Sequence, residues 1–534
     1  MATGSLRSVL KYQPHELEFG TSGRRGKVVD LSQLEIYINA LAELQYLQSL
    51  SPAGGGIVAG DEFFFARDLR PSSSAFVPEQ EGRGEIAQAI IAAIQAAGMQ
   101  PVNLGAIPTP ALAYYALARK KGSIMVTGSH IPFDRNGYKT YSSRGELGKQ
   151  QESPINERVR QVRQKLYTQT FNESAFDERG FFKSGHANLG AEDPQARVAW
   201  IERFSSFFSG RSLAGKRVLV YQHSAVGRDI LVTILERLRA EVIPAGRSEI
   251  FVPIDTENIG SAQLATIQSL ADAATAKHGP LDAVVSTDGD SDRPLVLGVD
   301  STTGKVRFFG GDLLGMVVAV YLGAGAVVVP ISCNDAIDRS ELAPMLEAKT
   351  RIGSPFVIDG MDLACRKGKQ RVCGWEPNGG FLTASDIQRN GRVLHALPTR
   401  DAILPILSVL FAASESGLAL TDLFDRLPRR YSRAALLAQF PRATALKILS
   451  LPDFALFFAP AHGFGKISRI DYTDGVRILF DNGDVAHVRP SGNADELRIY
   501  AVADTQERAD AIASLATAEP GGILRQMAAV ASQL

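Results

Sequence analysis

Ile124-Met-Val-Thr-Gly-Ser-His-Ile-Pro-Phe-Asp-Arg-Asn-Gly-Tyr-Lys139 is the stretch around which the chain is organised. Ile124, Met125 and Val126 read as the end of a buried strand, because a short apolar run bounded by glycine is a parallel-sheet pattern. Gly128 lets the backbone turn sharply and leaves Ser129 at the strand's carboxyl end, where ligands bind in open α/β sheets. His130, Arg135 and Lys139 place titratable or positive groups around the hydroxyl, and Pro132 and Gly137 stiffen and punctuate the loop. A serine so surrounded suits a phosphate, whose charge of about −1.5 to −2 needs cationic neighbours. The alternative is a Ser-His pair in an ordinary surface turn.

A chain of 534 residues is too long for one core, so three or four domains are expected. With 45% apolar and 21% charged residues it can bury sizeable cores and is not a disordered tail protein. Lys plus Arg equals Asp plus Glu at 57 each, which argues against a global nucleic-acid or anionic-membrane surface but leaves room for a local basic pocket. Cys333, Cys365 and Cys373 form no paired framework and no CxxC site, so a reducing cytoplasm is expected. The first thirty residues lack the pattern of a signal peptide. Residues 313–331 approach membrane-spanning length, but Gly323 and Gly325 interrupt them and Pro330 closes them. They read as a buried helix turning into a buried strand.

The N-terminal region carries Phe19-Gly-Thr-Ser-Gly-Arg-Arg-Gly26, whose amides and guanidinium groups suit a phosphate, or else form a flexible loop with solvated arginines. Helices are expected over 32–50, 84–97 and 154–167, and Gly60-Asp-Glu-Phe-Phe-Phe-Ala-Arg-Asp-Leu-Arg70 reads as a strand entering a charged turn. A loose polar stretch over 180–194 suggests a linker. New α/β units begin near 217 and 312. The final region carries a β-hairpin over 476–488 around Asn482-Gly483, then a strand over 496–502 and a helix over 505–516. Three successive α/β regions of similar size suggest one architecture used three times.

Asp288-Gly-Asp-Ser-Asp-Arg293 is the most informative motif. Aspartates at alternate positions can turn their carboxylates to one point, and concentrated hard oxygen ligands suit Mg²⁺. An EF-hand would need glycine after the third acid, where Arg293 stands; the other alternative is an acidic solvated turn. Arg489-Pro-Ser-Gly-Asn493 has the parts of a phosphate clamp, and Glu376-Pro-Asn-Gly-Gly380 offers groups suited to sugar hydroxyls.

Taken in order, these loops resemble those of the α-D-phosphohexomutase superfamily, and the matches run from Phe19 to Tyr500. The resemblance implies an α/β fold of three related α/β domains plus a C-terminal α+β domain around a central cleft. The expected divisions are 1–188 with the phosphoserine loop, 189–305 with the metal loop, 306–416 with the sugar loop and 417–534 with the phosphate loop. It implies that Ser129 is the phosphoserine and that Asp288, Asp290 and Asp292 bind Mg²⁺ together with the serine's phosphate. Lys139 would be an acid/base beside His130, and Arg24 and Arg293 would support the phosphorylated centre. Glu376 and Asn378 would hold sugar hydroxyls, and Arg489, Ser491, Gly492 and Asn493 the non-reacting phosphate.

The implied reaction passes the phosphoryl group from serine to a hexose phosphate, forming a hexose 1,6-bisphosphate that must turn around before the other phosphate returns to the serine. Overall resemblance favours mannose phosphates, with glucose phosphates as further substrates. Alternatives are a hexosamine-phosphate mutase, a Mg²⁺-dependent sugar phosphatase and a non-catalytic sugar-phosphate-binding protein. The expected partner is a small-molecule hexose phosphate, with neither nucleic acid nor membrane, for a cytoplasmic monomer or homodimer. Departures from the family pattern are Ile131 in the serine loop, Asn493-Ala-Asp after the phosphate loop, no lysine in Ile331-Ser-Cys-Asn-Asp335, and a sugar loop that ends in Gly380 where a basic residue is often found.

Overall fold

Three consecutive phenylalanines show how the layers arise. In the strand Glu62–Arg67, Phe64 joins one apolar cluster and Phe63 and Phe65 another, because successive side chains point to opposite faces of a sheet. The same alternation sends Val218 and Val220 one way and Leu219 and Tyr221 the other, and separates Val327 from Val328. In this computed structural model, which describes residues 4–20, 23–185, 188–257, 259–491 and 495–533, each of the first three sheets therefore has an apolar layer on both faces.

The three sheets repeat one plan. The first runs Arg24–Lys27, Arg135–Tyr141, Ser123–Val126, Glu62–Arg67, Gln100–Ala106, with its last three strands parallel and its first two antiparallel to their neighbours. The second runs Val306–Phe308, Pro294–Val299, Ala283–Thr287, Arg217–His223, Glu241–Arg247 in the same sense. The third is the four-stranded set Ala326–Val328, Val372–Trp375, Phe381–Thr383, Leu397–Asp401. In each, a parallel strand ends in a loop and the chain returns antiparallel beside it. The Ser129 loop, the Asp288–Arg293 loop and the Glu376–Gly380 loop occupy this one topological position three times.

The stretch over 313–331 is a helix, Gly311–Leu322, followed by the strand Ala326–Val328, and among the described residues no helix is long and apolar enough to cross a membrane. Gly315 lets that helix lie directly on Trp375, since a Cβ there would come within 2.3 Å of the indole. The strand Val306–Phe308 completes the second sheet, so we place the second division beyond residue 308 and not at 305.

The last region is a five-stranded antiparallel sheet, ordered Tyr431–Ala438, Glu496–Ala503, Val485–Pro490, Val476–Phe480, Ile467–Asp471, with helices Gln506–Thr517 and Ile523–Ala531. Its apolar residues form a cluster of their own, whereas one face of each earlier sheet feeds a single cluster running from Phe64 through Trp200 and Trp375 to Phe424. Since the helix Leu420–Asp425 packs into that earlier cluster, we place the last division beyond residue 425 and not at 417. Polar contacts join it to the third unit: Arg430 meets Asp335 at 2.7 Å and Asp504 at 2.6 Å, and Asp474 accepts from the Ile352 amide at 2.9 Å.

His487 lies in the middle of this last sheet, buried beside Arg477 and Arg489, with its Nε2 bonded to the Asp474 carbonyl and its Nδ1 without a partner. Burial pulls its pKa down to about 4. The unfolded chain takes up this proton near pH 6.5, so between about pH 6.5 and 4 the unfolded state binds more protons and stability falls as pH falls, by about 3 kcal/mol in all. Hydrogen exchange of peptides from residues 476–503 should show the opening free energy dropping over that window, and His487→Gln should flatten the dependence.

Candidate active site

Ser129 sits in a strained place. Its φ is +54°, a left-handed conformation that non-glycine residues adopt only where surroundings impose it. Here Arg70 imposes it: its guanidinium donates to the carbonyls of Ser129 (2.9 Å), Ile131, Pro132 (2.9 Å) and Arg135 (3.1 Å). Beneath, Asp68 accepts from Thr127 Oγ1 at 2.8 Å, and Thr127 Oγ1 accepts from the Ser129 amide at 2.7 Å. The loop is thus shaped through its carbonyls and the amides of Gly128 and Ser129, and the hydroxyl is left to point across to the next sheet.

There Ser129 Oγ donates to Asp288 Oδ2 at 2.8 Å. Asp288, Asp290 and Asp292 are fully buried and each offers a carboxylate oxygen within 4.8 Å of the others. Lys139 Nζ, also fully buried, lies 2.8 Å from both Asp290 Oδ2 and Asp292 Oδ2, and Thr109 Oγ1 donates to Asp290 Oδ2 at 2.6 Å. Burial would raise all three carboxyls. Their neighbours together outweigh this, Lys139, Thr109 and Arg293 at Asp290 and Arg400, Lys139 and Arg293 at Asp292, holding both below the usual carboxylate range. At Asp288, burial and then the other two carboxylates push the group well above it. Asp290 Oδ1 and Asp292 Oδ1 have no hydrogen-bond partner. Two orphaned buried oxygens, a third carboxyl short of positive charge and an all-oxygen donor set fit a hard divalent cation.

Arg293 Nη1 donates to His130 Nδ1 at 2.7 Å, which puts the imidazole's own proton on Nε2. Burial, and next the Arg293 charge, pull His130 down to about 2, so the ring is neutral. Its Nδ1 is 3.4 Å from Ser129 Oγ.

Arg24 does not reach this cluster. Its guanidinium is buried against Glu43 (2.7 Å), the Leu17 carbonyl (2.6 Å) and Asn156 (3.1 Å). Neighbouring residues of a strand face opposite ways. Arg25 is therefore the one directed to the metal loop, where burial and the Arg293 charge lower its pKa to about 10 while Asp290 and Asp292 oppose. Its Nε lacks a hydrogen-bond partner. A cation crowded by cations is a seat for an anion.

The missing base of the sugar loop has a substitute from elsewhere in the chain that no local motif marks. Arg400, on the strand Leu397–Asp401, donates to Asp292 at 3.0 Å, Ser354 Oγ at 2.7 Å and Glu376 at 3.4 Å. Gly380 makes room for it, since a Cβ there would stand 2.5 Å from Arg400 Cδ. Asn378 shapes the loop by accepting from the Gly380 amide at 3.0 Å.

Arg489 pairs with Asp474 at 2.9 Å and the Ser491 amide donates to Glu496 at 2.9 Å, both on the last sheet. Gly492 and Asn493 lie outside the described residues. Between that sheet and the earlier units is a cavity of about 520 Å³, bordered by Glu257, Asp312 and Pro377 on one side and Arg430 and Tyr500 on the other.

Family models for phosphoglucomutase/phosphomannomutase match the chain over residues 16–166 (alpha/beta/alpha domain I), 310–431 (alpha/beta/alpha domain III) and 429–517 (C-terminal domain). A phosphomannomutase of Sinorhizobium fredii is 38% identical over 501 residues, covering 92% of this chain and 96% of that protein. The chain belongs to the phosphoglucomutase/phosphomannomutase family, within the α-D-phosphohexomutase superfamily. A phosphoglucosamine mutase of Nitrosospira multiformis is 26% identical over 416 residues, covering 76% of this chain and 78% of that protein. Among solved structures, a family protein of Burkholderia thailandensis superimposes with a TM-score of 0.67 at 17% identity, covering 96% of this chain and 97% of that one.

For a phosphohexomutase so built, the two N-terminal arginines should separate cleanly. Arg24→Met leaves Glu43 buried and unpaired, and should destabilise the protein by about 3–5 kcal/mol, read as a drop in Tm. Arg25→Met should leave Tm nearly unchanged and cut kcat/KM by about 10²-fold, as loss of one preorganised cation does.

Proposed function

We propose that the protein is a phosphomannomutase, interconverting mannose 6-phosphate and mannose 1-phosphate and accepting glucose phosphates as further substrates. The observation that carries this reading is the hydrogen bond from Ser129 of the first sheet to Asp288 of the second, inside a buried cluster of carboxylates and cations. Mannose is favoured by the relative from Sinorhizobium fredii.

Phosphoryl transfer asks a protein mainly for positioning and charge neutralisation. In this reading Ser129 carries the phosphoryl group. Its P–O bond to the serine breaks as a P–O bond to the sugar hydroxyl forms; the hydroxyl's proton passes to a base, and the freed serine oxygen takes up a proton from an acid. Lys139, held between two carboxylates, is the general acid/base in this reading, and His130 stands beside the serine as a neutral ring whose Nδ1 is engaged by Arg293. Asp288, Asp290 and Asp292 would hold Mg²⁺, which supplies Lewis-acid stabilisation of the phosphoryl oxygens. Arg25, Arg293 and Arg400 neutralise charge around the group in flight. Glu376 and Asn378 hold sugar hydroxyls in either orientation of the hexose 1,6-bisphosphate, and Arg489, Ser491, Gly492 and Asn493 receive whichever phosphate is not reacting. Rotation of the last unit onto the others would keep water from the phosphoserine. The reading includes a cytoplasmic setting for the three unpaired thiols, and a monomer or homodimer.

Peptide mass analysis of the purified enzyme should place a phosphate on Ser129, and the enzyme should interconvert mannose 1-phosphate in preference to glucose 1- and glucosamine 1-phosphate when supplied with Mg²⁺ and catalytic bisphosphate. Ser129→Ala should lose roughly three orders of magnitude in kcat or more. Steady release of inorganic phosphate without interconversion would make the protein a phosphatase instead. Chelation should abolish turnover and Mg²⁺ restore it, and Asp290→Asn should raise the Mg²⁺ concentration needed for half-maximal rate.

A further inference from the structure

The family reading gives the second unit a single loop in the site, the metal loop. Residues 251–257, Phe-Val-Pro-Ile-Asp-Thr-Glu, give it another. They lie between the strand Glu241–Arg247 and the helix Ser261–His278, and Ile254 anchors them in the second unit's own apolar layer. At one end, the ring of Phe251 lies 3.8 Å from the guanidinium of Arg70, the residue that shapes the Ser129 loop. That ring also packs on Gly289 of the metal loop, where a Cβ would come within 3.0 Å of it. At the other end, Thr256 is buried and its Oγ1 donates to the Asn378 carbonyl at 2.7 Å. One seven-residue strap thus touches both the loop that carries the phosphoryl group and the loop that reads the sugar.

The sugar loop has little freedom to sit elsewhere. Gly379 has a φ of +85°, and a Cβ there would press on Pro294 Cγ at 2.9 Å. On its far side a Cβ at Gly311 would lie 2.0 Å from the Gly379 nitrogen. Two close backbone approaches, the loop's own hydrogen bonds and one buried hydroxyl set where Asn378 stands. Of these, the hydroxyl supplies a directional bond to Asn378 from another unit. Without it the Asn378 carbonyl would be buried without a donor, and the loop would shift to regain one.

We propose that Thr256 is a positioning residue for the sugar loop and that, through Asn378, it sets which hexose phosphate the enzyme accepts. The proposal rests on the mutase reading above. Thr256 touches no reacting atom, so its removal should be felt in sugar recognition and not in the phosphoserine chemistry.

The test compares wild type, Thr256→Val and Thr256→Ser with mannose 1-phosphate and glucose 1-phosphate, alongside the Ser129 phosphate content by mass analysis. Thr256→Val, which keeps the shape and loses the donor, should raise KM about tenfold with kcat within about threefold, and change the mannose-to-glucose ratio of kcat/KM by at least about fivefold. Thr256→Ser should restore both values, and Ser129 should be phosphorylated to the wild-type level in all three. A Val variant with wild-type KM and sugar ratio overturns the proposal. So does a Val variant that loses kcat equally for both sugars, because that is a general structural effect. A wild-type enzyme that interconverts no hexose phosphate brings down the mutase reading and this proposal with it, whereas an active wild type with unresponsive Thr256 variants brings down this proposal alone.

Discussion

The structure turns on the cost of holding three aspartates together out of water. Like charges that close, in a medium far less polarisable than water, cannot all stay ionised without compensation. The compensation comes from different parts of the chain: Lys139 from the first sheet, Arg293 from the metal loop itself and Arg400 from the third sheet. Neutralising Asp290 and Asp292 is therefore also what ties three units to one point. The hydrogen bonds use one oxygen of each and leave the other without a hydrogen-bond partner, so the same arrangement that makes the cluster tolerable keeps it ready for a cation.

Much of this frame is legible in the sequence because the decisive loops follow short apolar runs. Ile124–Val126, Ala283–Ser286 and Val372–Trp375 each announce a buried strand, and a chemistry-bearing loop follows at once. The hairpin at Asn482-Gly483 is equally plain, since those two residues suit a tight turn. The helix Ser261–His278 is not plain. It buries only Ile267, Ala271 and Ala274, and small residues at that spacing leave almost no apolar stripe to read. The strand Tyr431–Ala438, with Leu437 its one buried residue, is faint for the same reason.

In the site, what the sequence withheld was direction. Arg24 and Arg25 are chemically identical neighbours, and only pairing with the strand Arg135–Tyr141 decides which of them faces Glu43 and which the aspartates. Gly380 looked like the loss of a base; in space it is the opening through which Arg400 enters from twenty residues downstream. Asp68-Leu-Arg70 read as a charged turn because nothing local shows that its guanidinium will meet four carbonyls of a loop some sixty residues away.

The last unit keeps its apolar cluster to itself and meets the third unit through Arg430, Asp335, Asp504 and Asp474. Any rotation of it away from the others would exchange ion pairs and hydrogen bonds for water while leaving both apolar clusters intact. The energy of that swing then answers to electrolyte and is nearly blind to the heat-capacity effects that accompany wetting of hydrocarbon.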